Sequence, residues 1–332
     1  MADRRKSRKE GRRDGGRAKA FPLTALFVIL AASVFLFLNE YFLHIDAVPS
    51  VRDMLKTVGV LPKYVTAADG QLAVHYIDVG QGDCQLITVG KSNVLIDCGE
   101  EDYYSEVKEY LDSLKISRLD LVIATHPHSD HIGGMYRLLS DFEVGQFMMP
   151  RTADNMVPNT MCYELMLDVI EEKGISASYT EVGDVIGLDC GAELEILAPL
   201  HDDYDNLNNY SVVSRLVFGG TSFLFTGDAE RASENDILNS GADIRSDVIK
   251  IAHHVSTSSS TEAFLRAVSP DYAILFVGEY NPYGHPNPNV LKRLDDVGCT
   301  YYTTRDCGDI VIVSDGAELK LYSSKRGEIT EW

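Results

Sequence analysis

Three imidazoles and one carboxylate fall within the six consecutive residues His126-Pro127-His128-Ser129-Asp130-His131. Neutral imidazole and carboxylate suit a borderline cation, so Zn²⁺ is the expected metal and Mn²⁺ the alternative. Four such groups exceed what one tetrahedral ion takes when other ligands arrive from elsewhere in the chain. The spacing therefore points to two divalent ions, with His126 and His128 on one and Asp130 and His131 on the other. A loop of solvated histidines is the plainer alternative. Against it stand the largely apolar run Leu119–Ala124 before the cluster and Gly133-Gly134 after it, which lets the backbone pass close to a site.

These residues need elements to position them. The run 119–124 reads as a buried strand that Pro127 stops, leaving the ligands on the loop at its C-terminal end. Thr226-Gly227-Asp228 follows the apolar Phe223-Leu224-Phe225. Asp228 is either a turn aspartate or, with further strand-end histidines, a carboxylate between two cations ~3.5–4 Å apart. A second such end is Ile249-Lys250-Ile251-Ala252-His253-His254-Val255-Ser256. His253, first after the strand, is the better ligand. His254 either supports a ligand or an oxyanion, or is merely solvated. In Asn281-Pro282-Tyr283-Gly284-His285-Pro286, His285 either protonates a leaving group, grips a phosphate oxygen, or is only a turn residue.

Strand-like runs open at 72–78, 84–89 and 93–97 and recur at 211–218, 222–226, 247–252, 272–277, 301–304, 309–313 and 318–322. Helices are expected near 104–114, 161–173, 229–239, 261–268 and 289–297. Ser259-Ser260-Thr261-Glu262 reads as a capping box and Asn287-Pro288 as an N-cap with proline at the first helical position. Two successions of strands and helices predict an α/β fold, a four-layer α/β/β/α sandwich. Six cysteines are present and none forms a Cys-x-x-Cys pair, which argues against a thiolate zinc site. Cys84 and Cys98 read as small core residues, and Cys299 and Cys307 as a candidate disulfide across a hairpin.

The net charge of −20 is unevenly spread. Residues 1–19 hold nine Lys/Arg and three acids, about +6, so the remainder carries about −26. Phe21 to Leu38 then contains no charge. Its length approaches what a helix needs to cross a ~30 Å hydrocarbon core, and the basic flank belongs on the cytoplasmic side. The expected layout is a basic cytoplasmic tail (1–20), a transmembrane anchor (21–43), a stalk (44–70) and an extracytoplasmic catalytic domain (71–332). A cleaved signal peptide is the alternative, but no small-x-small site follows the run closely.

Six motifs join the His126 loop: Asp78-Val79-Gly80-Gln81-Gly82-Asp83, Leu95-Ile96-Asp97-Cys98-Gly99, Asn208 with Ser211, Thr226-Gly227-Asp228, His253-His254-Val255-Ser256 and Tyr283-Gly284-His285-Pro286. In this order they resemble the metallo-β-lactamase superfamily, and within it the hydrolase domain of the DNA-uptake competence protein ComEC and the bacterial phosphorylcholine esterases. The resemblance covers roughly residues 72–315. It implies His126, His128, Asp130, His131, Asp228 and His253 as metal ligands, with catalytic parts for Asp130, His285 and His254. It implies that Asp78, Asp83, Asn208, Ser211, Ser256 and Tyr283 touch substrate or brace the ligands. Two departures matter. Val255 stands where that branch usually has glycine. The superfamily's further histidine on the first metal has only His201 as a candidate in the interval before Asp228; otherwise water or Asn208 fills the position. A poorer first site argues against a β-lactamase and for phosphoesters.

The expected activity is that of a membrane-anchored, two-metal phosphodiesterase, with nuclease as the leading subtype and a metal-bridging hydroxide as nucleophile. Its partner would be a nucleic acid or a small phosphoester. The acidic balance weighs against extended nucleic-acid binding, for which Lys250, Arg293 and Arg305 are the candidate basic contacts. The alternative is a small-substrate esterase at the cell surface, acting on phosphocholine-like or cell-wall groups, with Tyr280, Tyr283, Tyr301 and Tyr302 receiving a quaternary ammonium unless they are ordinary strand and core residues. A third reading is a non-catalytic, metal-stabilised binding module.

Overall fold

Alternation along the strands builds this fold. In β1 (Leu72–Tyr76), Leu72, Val74 and Tyr76 face a core shared by two sheets, as do Ile87 and Val89 of β2 (Gln85–Val89) and Val94 and Ile96 of β3 (Ser92–Ile96). Leu86, Leu95 and Val122 point the other way, into a core covered by helices. A computed structural model describes residues 65–325 and the backbone of 327 and 328. The expected tail and anchor, and most of the expected stalk, lie outside the described residues. Among the described residues no helix is long and apolar enough to cross a membrane.

The first sheet continues through β4 (Arg118–Ile123), β5 (Glu143–Met149) and the edge strand β6 (Ser176–Tyr179). On its other side it takes β14 (Ile310–Ser314), β15 (Leu319–Ser323) and β16 (Gly327–Glu328). The second sheet runs β7 (Val185–Gly187), β8 (Glu193–Ala198), β9 (Val213–Phe218), β10 (Thr221–Phe225), β11 (Val248–Lys250), β12 (Tyr272–Leu275) and β13 (Thr300–Thr303). Strands β3 to β6 are mutually parallel, as are β10 to β13.

Helix α1 (Tyr104–Ser113) packs Tyr104, Val107, Tyr110 and Leu111 on the first sheet's outer core, with α3 (Met135–Asp141) and α4 (Met161–Lys173). Helices α5 (Arg231–Ser240), α6 (Glu262–Val268) and α7 (Pro288–Val297) cover the second sheet. The one-turn helices are α2 (Ser129–Ile132) and α8 (Thr304–Cys307). The result is the four-layer sandwich expected from the sequence.

Some details differ from expectation. The side chain capping α6 is Thr261, which accepts from Phe264 N–H; Ser259 instead donates to Ala252 C=O. Asn287 caps α7 with Pro288 following, as expected. No disulfide joins Cys299 and Cys307. Strand β13 separates them: Cys299 lies in the helix-covered core of the second sheet and Cys307 in the core between the sheets. Tyr301 and Tyr302 are half-buried against those same two cores, so the expected four-tyrosine cage does not assemble.

His75 is a core residue, its Nδ1 2.9 Å from Tyr110 Oη. Burial lowers its pKa from 6.5 to about 3. Between those values the unfolded chain binds a proton that the folded chain refuses, so stability is lost as pH falls below 6.5. The expected slope from this residue is about 1.4 kcal/mol per pH unit. Urea unfolding from pH 7 to 4.5 should show His75→Gln losing stability less steeply than the wild type; parallel curves would contradict the assignment.

Candidate metal centre

The loops carrying His126 to His131, Asp228, His253 with His254, and His285 each leave the C-terminal end of a strand in a parallel part of a sheet. Residues 124–131 follow β4, 226–228 follow β10, 251–256 follow β11 and 276–286 follow β12. The two sheets therefore bring these loops to one end of the sandwich, where ligands of open α/β sheets gather.

After β4 the chain extends to His128, then turns into α2, whose first bonds run from His131 and Ile132 N–H to His128 C=O. Ile132 is anchored in the outer core. The helix leaves through Gly133, where a Cβ would meet Ser129 O at 2.5 Å and Glu101 N at 2.6 Å. His126 Nε2 lies 3.0 Å from His128 Nδ1, and both side chains are at least half-buried. His131 Nδ1 donates to Asp97 Oδ2 at 2.7 Å, while Thr125 binds the same carboxylate through its N–H and hydroxyl. Asp97 thus fixes the His131 tautomer and leaves Nε2 to face the site. That Nε2 is buried, has no hydrogen-bond partner, and lies 3.3 Å from Asp228 Oδ1.

Asp228 sits at the centre. Its N–H donates to Ser211 Oγ, and its carboxylate is 2 % exposed. Oδ2 stands 4.0 Å from His126 Nε2, 3.9 Å from His253 Nε2 and 3.7 Å from His254 Nε2. The preceding Gly227 has φ +49°, and a Cβ there would meet Ser211 and Thr125 at 3.0 Å.

The histidine pair is split by three successive left-handed residues, His253 (φ 49°), His254 (φ 48°) and Val255 (φ 69°). A β-branched side chain in that region is strained. Val255 stands there with its side chain wholly buried in the outer core. The turn sends His254 inward, with Nε2 3.1 Å from Asp130 Oδ2. His253 stays partly exposed, its Nδ1 2.9 Å from Glu230 Oε1. Asn208 and Ser258 donate to the same Glu230 oxygen, and Asn208 Oδ1 is buried without a partner.

The charges are tightly balanced. Burial opposes protonation of His131, but the carboxylates of Asp228, Asp97, Asp83 and Asp130 prevail and hold its pKa well above the ordinary value. Burial pushes Asp228 up, yet His131, His254 and Lys250 hold it well below the carboxylate range. His126 is driven well down by burial and by His131.

The other expected residues sort as follows. His285 is half-buried on the 276–286 loop, its ring centroid 6.3 Å from that of His253 and 5.8 Å from that of Tyr283. Asn281 clamps the backbone N–H and C=O of His285. Tyr280 and Tyr283 are 89 % and 70 % exposed. Asp78 accepts from Gly80 N–H, and Ser256 contacts Ser258; both brace turns. His201 lies on the surface 3.7 Å from Asp236, away from the cluster. The basic groove does not assemble as expected: Lys250 is wholly buried, Arg293 donates to the C=O groups of Ser259 and Ser260, and Arg305 reaches Asp306.

The donor set fits divalent cations. Uncapped imidazole nitrogens and carboxylate oxygens converge, with orphaned buried atoms at His131 and Asn208. Asp83, His131, Asp228 and His254 bring donor atoms within 4.8 Å of one another. Sequence reasoning did not give roles to Asp97 and Glu230. The signal for Asp97 was an acid directly ending the apolar strand Val94-Leu95-Ile96. Asp97→Asn is expected to weaken Mn²⁺ binding about 10–100-fold by losing control of the His131 tautomer. Chelator competition measures this; unchanged affinity would leave Asp97 a purely structural residue.

Residues 77–279 match the metallo-beta-lactamase superfamily, and the chain belongs to it. Among curated proteins it is similar to the ComE operon protein 3 of Bacillus subtilis (strain 168), 30% identical over 239 residues, covering 67% of this chain and 30% of that protein. The competence protein ComA of Neisseria gonorrhoeae is 29% identical over 228 residues, covering 68% and 30%. The chain thus spans about a third of the length of these ComEC-like relatives. Among solved structures, the metallo-beta-lactamase fold protein YhfI from Bacillus subtilis aligns with a TM-score of 0.48 at 15% identity, covering 74% of this chain and 100% of that one.

Proposed function

We propose that this protein is a metal-dependent phosphodiesterase. The observation that carries the reading is the convergence of His126, His128, Asp130, His131, Asp228, His253 and His254 at one end of the sandwich. In this reading His126, His128 and His253 would hold one ion, Asp130, His131 and His254 would hold the other, and Asp228, which faces both groups, would contribute to each. His253 takes the place of the superfamily's missing histidine, oriented by Glu230 as His131 is by Asp97. His254, expected from the sequence only to support a ligand or an oxyanion, would join Asp130 and His131. Divalent ions bound there would supply Lewis acidity and lower the pKa of a bound water.

The chain's own residues do the rest. Glu230 and Asp97 hold the Nδ1 protons of His253 and His131, leaving each Nε2 as a donor. His285 stands at the rim to hold a proton for the leaving oxygen. Tyr283, stacked on His285, and the exposed Tyr280 offer flat faces to a nucleobase beside the scissile ester. Relatives named as competence proteins support nucleic acid as the substrate class. The same two tyrosines and the acidic balance favour a quaternary ammonium as second reading.

A hydrolysis screen of the purified protein with Zn²⁺ and Mn²⁺ decides between them. It compares bis-p-nitrophenyl phosphate, p-nitrophenyl phosphorylcholine, single-stranded DNA and a β-lactam. We expect cleavage of the first and of DNA; cleavage of the β-lactam alone would refute the phosphoester reading. We further propose that residues 21–43 anchor the chain with its catalytic domain outside. External protease on intact cells should then remove residues beyond about 70, the start of the domain that this topology exports. Full protection, with a permeabilised control digested, would reverse the topology.

A further inference from the structure

We infer that Lys250 is a resident internal cation that withholds Asp83 from the metal ions and so fixes where they sit. The inference rests on the metal-dependent reading above and adds a residue that the reading does not use.

Strand β11 lies between β10 and β12, and all three of its residues are buried. A lysine there keeps its charge only with close partners. Lys250 Nζ is in direct ion-pair contact with Asp83, donates to Gly227 C=O at 2.7 Å, and stands 3.7 Å from Asp228 Oδ1. Asp83 is equally buried. Its turn is held on both sides, by its N–H donating to Asp130 C=O at 3.1 Å and its C=O accepting from Gly99 N–H at 2.8 Å. Its carboxylate lies 3.7 Å from His254 Nδ1 and 3.8 Å from His131 Nδ1.

Asp83, His131, Asp228 and His254 are by donor type a cation cage of their own. Here the positive charge is an ammonium tethered to β11. Two consequences follow. A divalent ion is repelled from the Nδ1 side of His131 and His254 and drawn to the side where Asp130 approaches His254 Nε2. With Asp83 committed to Lys250, the second ion lacks one protein ligand that it would otherwise capture. That keeps a coordination position for water and substrate, as a catalytic site requires. Lys250 is therefore a positioning residue.

The test uses the protein of this sequence, Mn²⁺ as the only probe, and three variants: Lys250→Met, Asp83→Asn and the double variant. The readouts are Mn²⁺ affinity by chelator competition and the rise in Tm on adding Mn²⁺. Lys250→Met should melt lower without metal and bind Mn²⁺ about tenfold more tightly, because a repelling charge is gone and a carboxylate is released. Its Mn²⁺-induced rise in Tm should exceed that of the wild type. Asp83→Asn should free the ammonium to pair with Asp228 and weaken Mn²⁺ binding about tenfold. The double variant, which removes both charges together, should return to within about threefold of the wild type.

Unchanged or weakened Mn²⁺ binding in Lys250→Met would overturn the inference. If that variant does not fold, Asp83→Asn decides, and unchanged or tighter binding there overturns it. Failure of the wild type to bind Mn²⁺ would overturn the metal-dependent reading and this inference together, which separates it from failure of the inference alone.

Discussion

Asp228→Asn is expected to lower divalent-ion occupancy at both positions and to cut phosphodiester hydrolysis by on the order of 10³-fold, several kcal/mol of lost charge stabilisation. The substitution keeps the shape of the side chain. The N–H of residue 228 still donates to Ser211, and the side-chain oxygen can still accept from His253 N–H, a bond of 3.1 Å in the native protein. What disappears is the negative charge that faces His126, His253 and His254 through Oδ2 and His131 and Lys250 through Oδ1. Removing it leaves the imidazoles without their common counter-charge and Lys250 with Asp83 alone, so each ion would lose a ligand and face a less compensated positive charge. Elemental analysis after exhaustive dialysis, with circular dichroism as the folding control, checks the result. Loss of a single ion would show that the carboxylate serves one position only.

The sequence was most legible where chemistry and periodicity coincide. The His126 loop announces itself because four donors crowd a strand end. The helices at 104–113 and 161–173 and their neighbours carry apolar residues at helical spacing, and α7 has its cap written in Asn287-Pro288. The strands at 143–149 and 176–179 were not legible. Strand β5 is interrupted by Gly145-Gln146, and all four residues of β6 are exposed at a sheet edge, so neither shows an apolar pattern. Their pairing is decided by β4 beside β5, a tertiary fact.

At the site, the types of the converging groups were readable but not their directions. His253 was the natural choice as the first residue after a strand. That reasoning assumes an extended chain, whereas three left-handed residues turn His254 inward and leave His253 on Glu230. Val255 conceals this geometry, since a β-branched residue does not advertise positive φ. Lys250 misled in the opposite sense. A lone charge within Val248-Ile249-Lys250-Ile251-Ala252 is better evidence of an interior partner than of a surface contact, and Asp83 is that partner.

His285→Ala should separate metal binding from catalysis. His285 combines a backbone clamped by Asn281 with a ring nitrogen, Nδ1, that is buried and has no hydrogen-bond partner among the described residues. Its ring lies 6.3 Å from that of His253, close enough to reach a leaving oxygen at the site but outside the group that surrounds Asp228. The variant should therefore retain its ions while kcat falls by about 10²–10⁴-fold, the range for a lost general acid. The penalty should shrink for p-nitrophenyl esters, whose leaving group departs with little help from a proton, and stay large for alkyl esters. Equal penalties on both would mean that His285 positions the phosphoryl group instead. Loss of metal as complete as in His126→Ala would make His285 a ligand, and the second ion's donor set would then have to be drawn from the 276–286 loop as well as from α2 and His254.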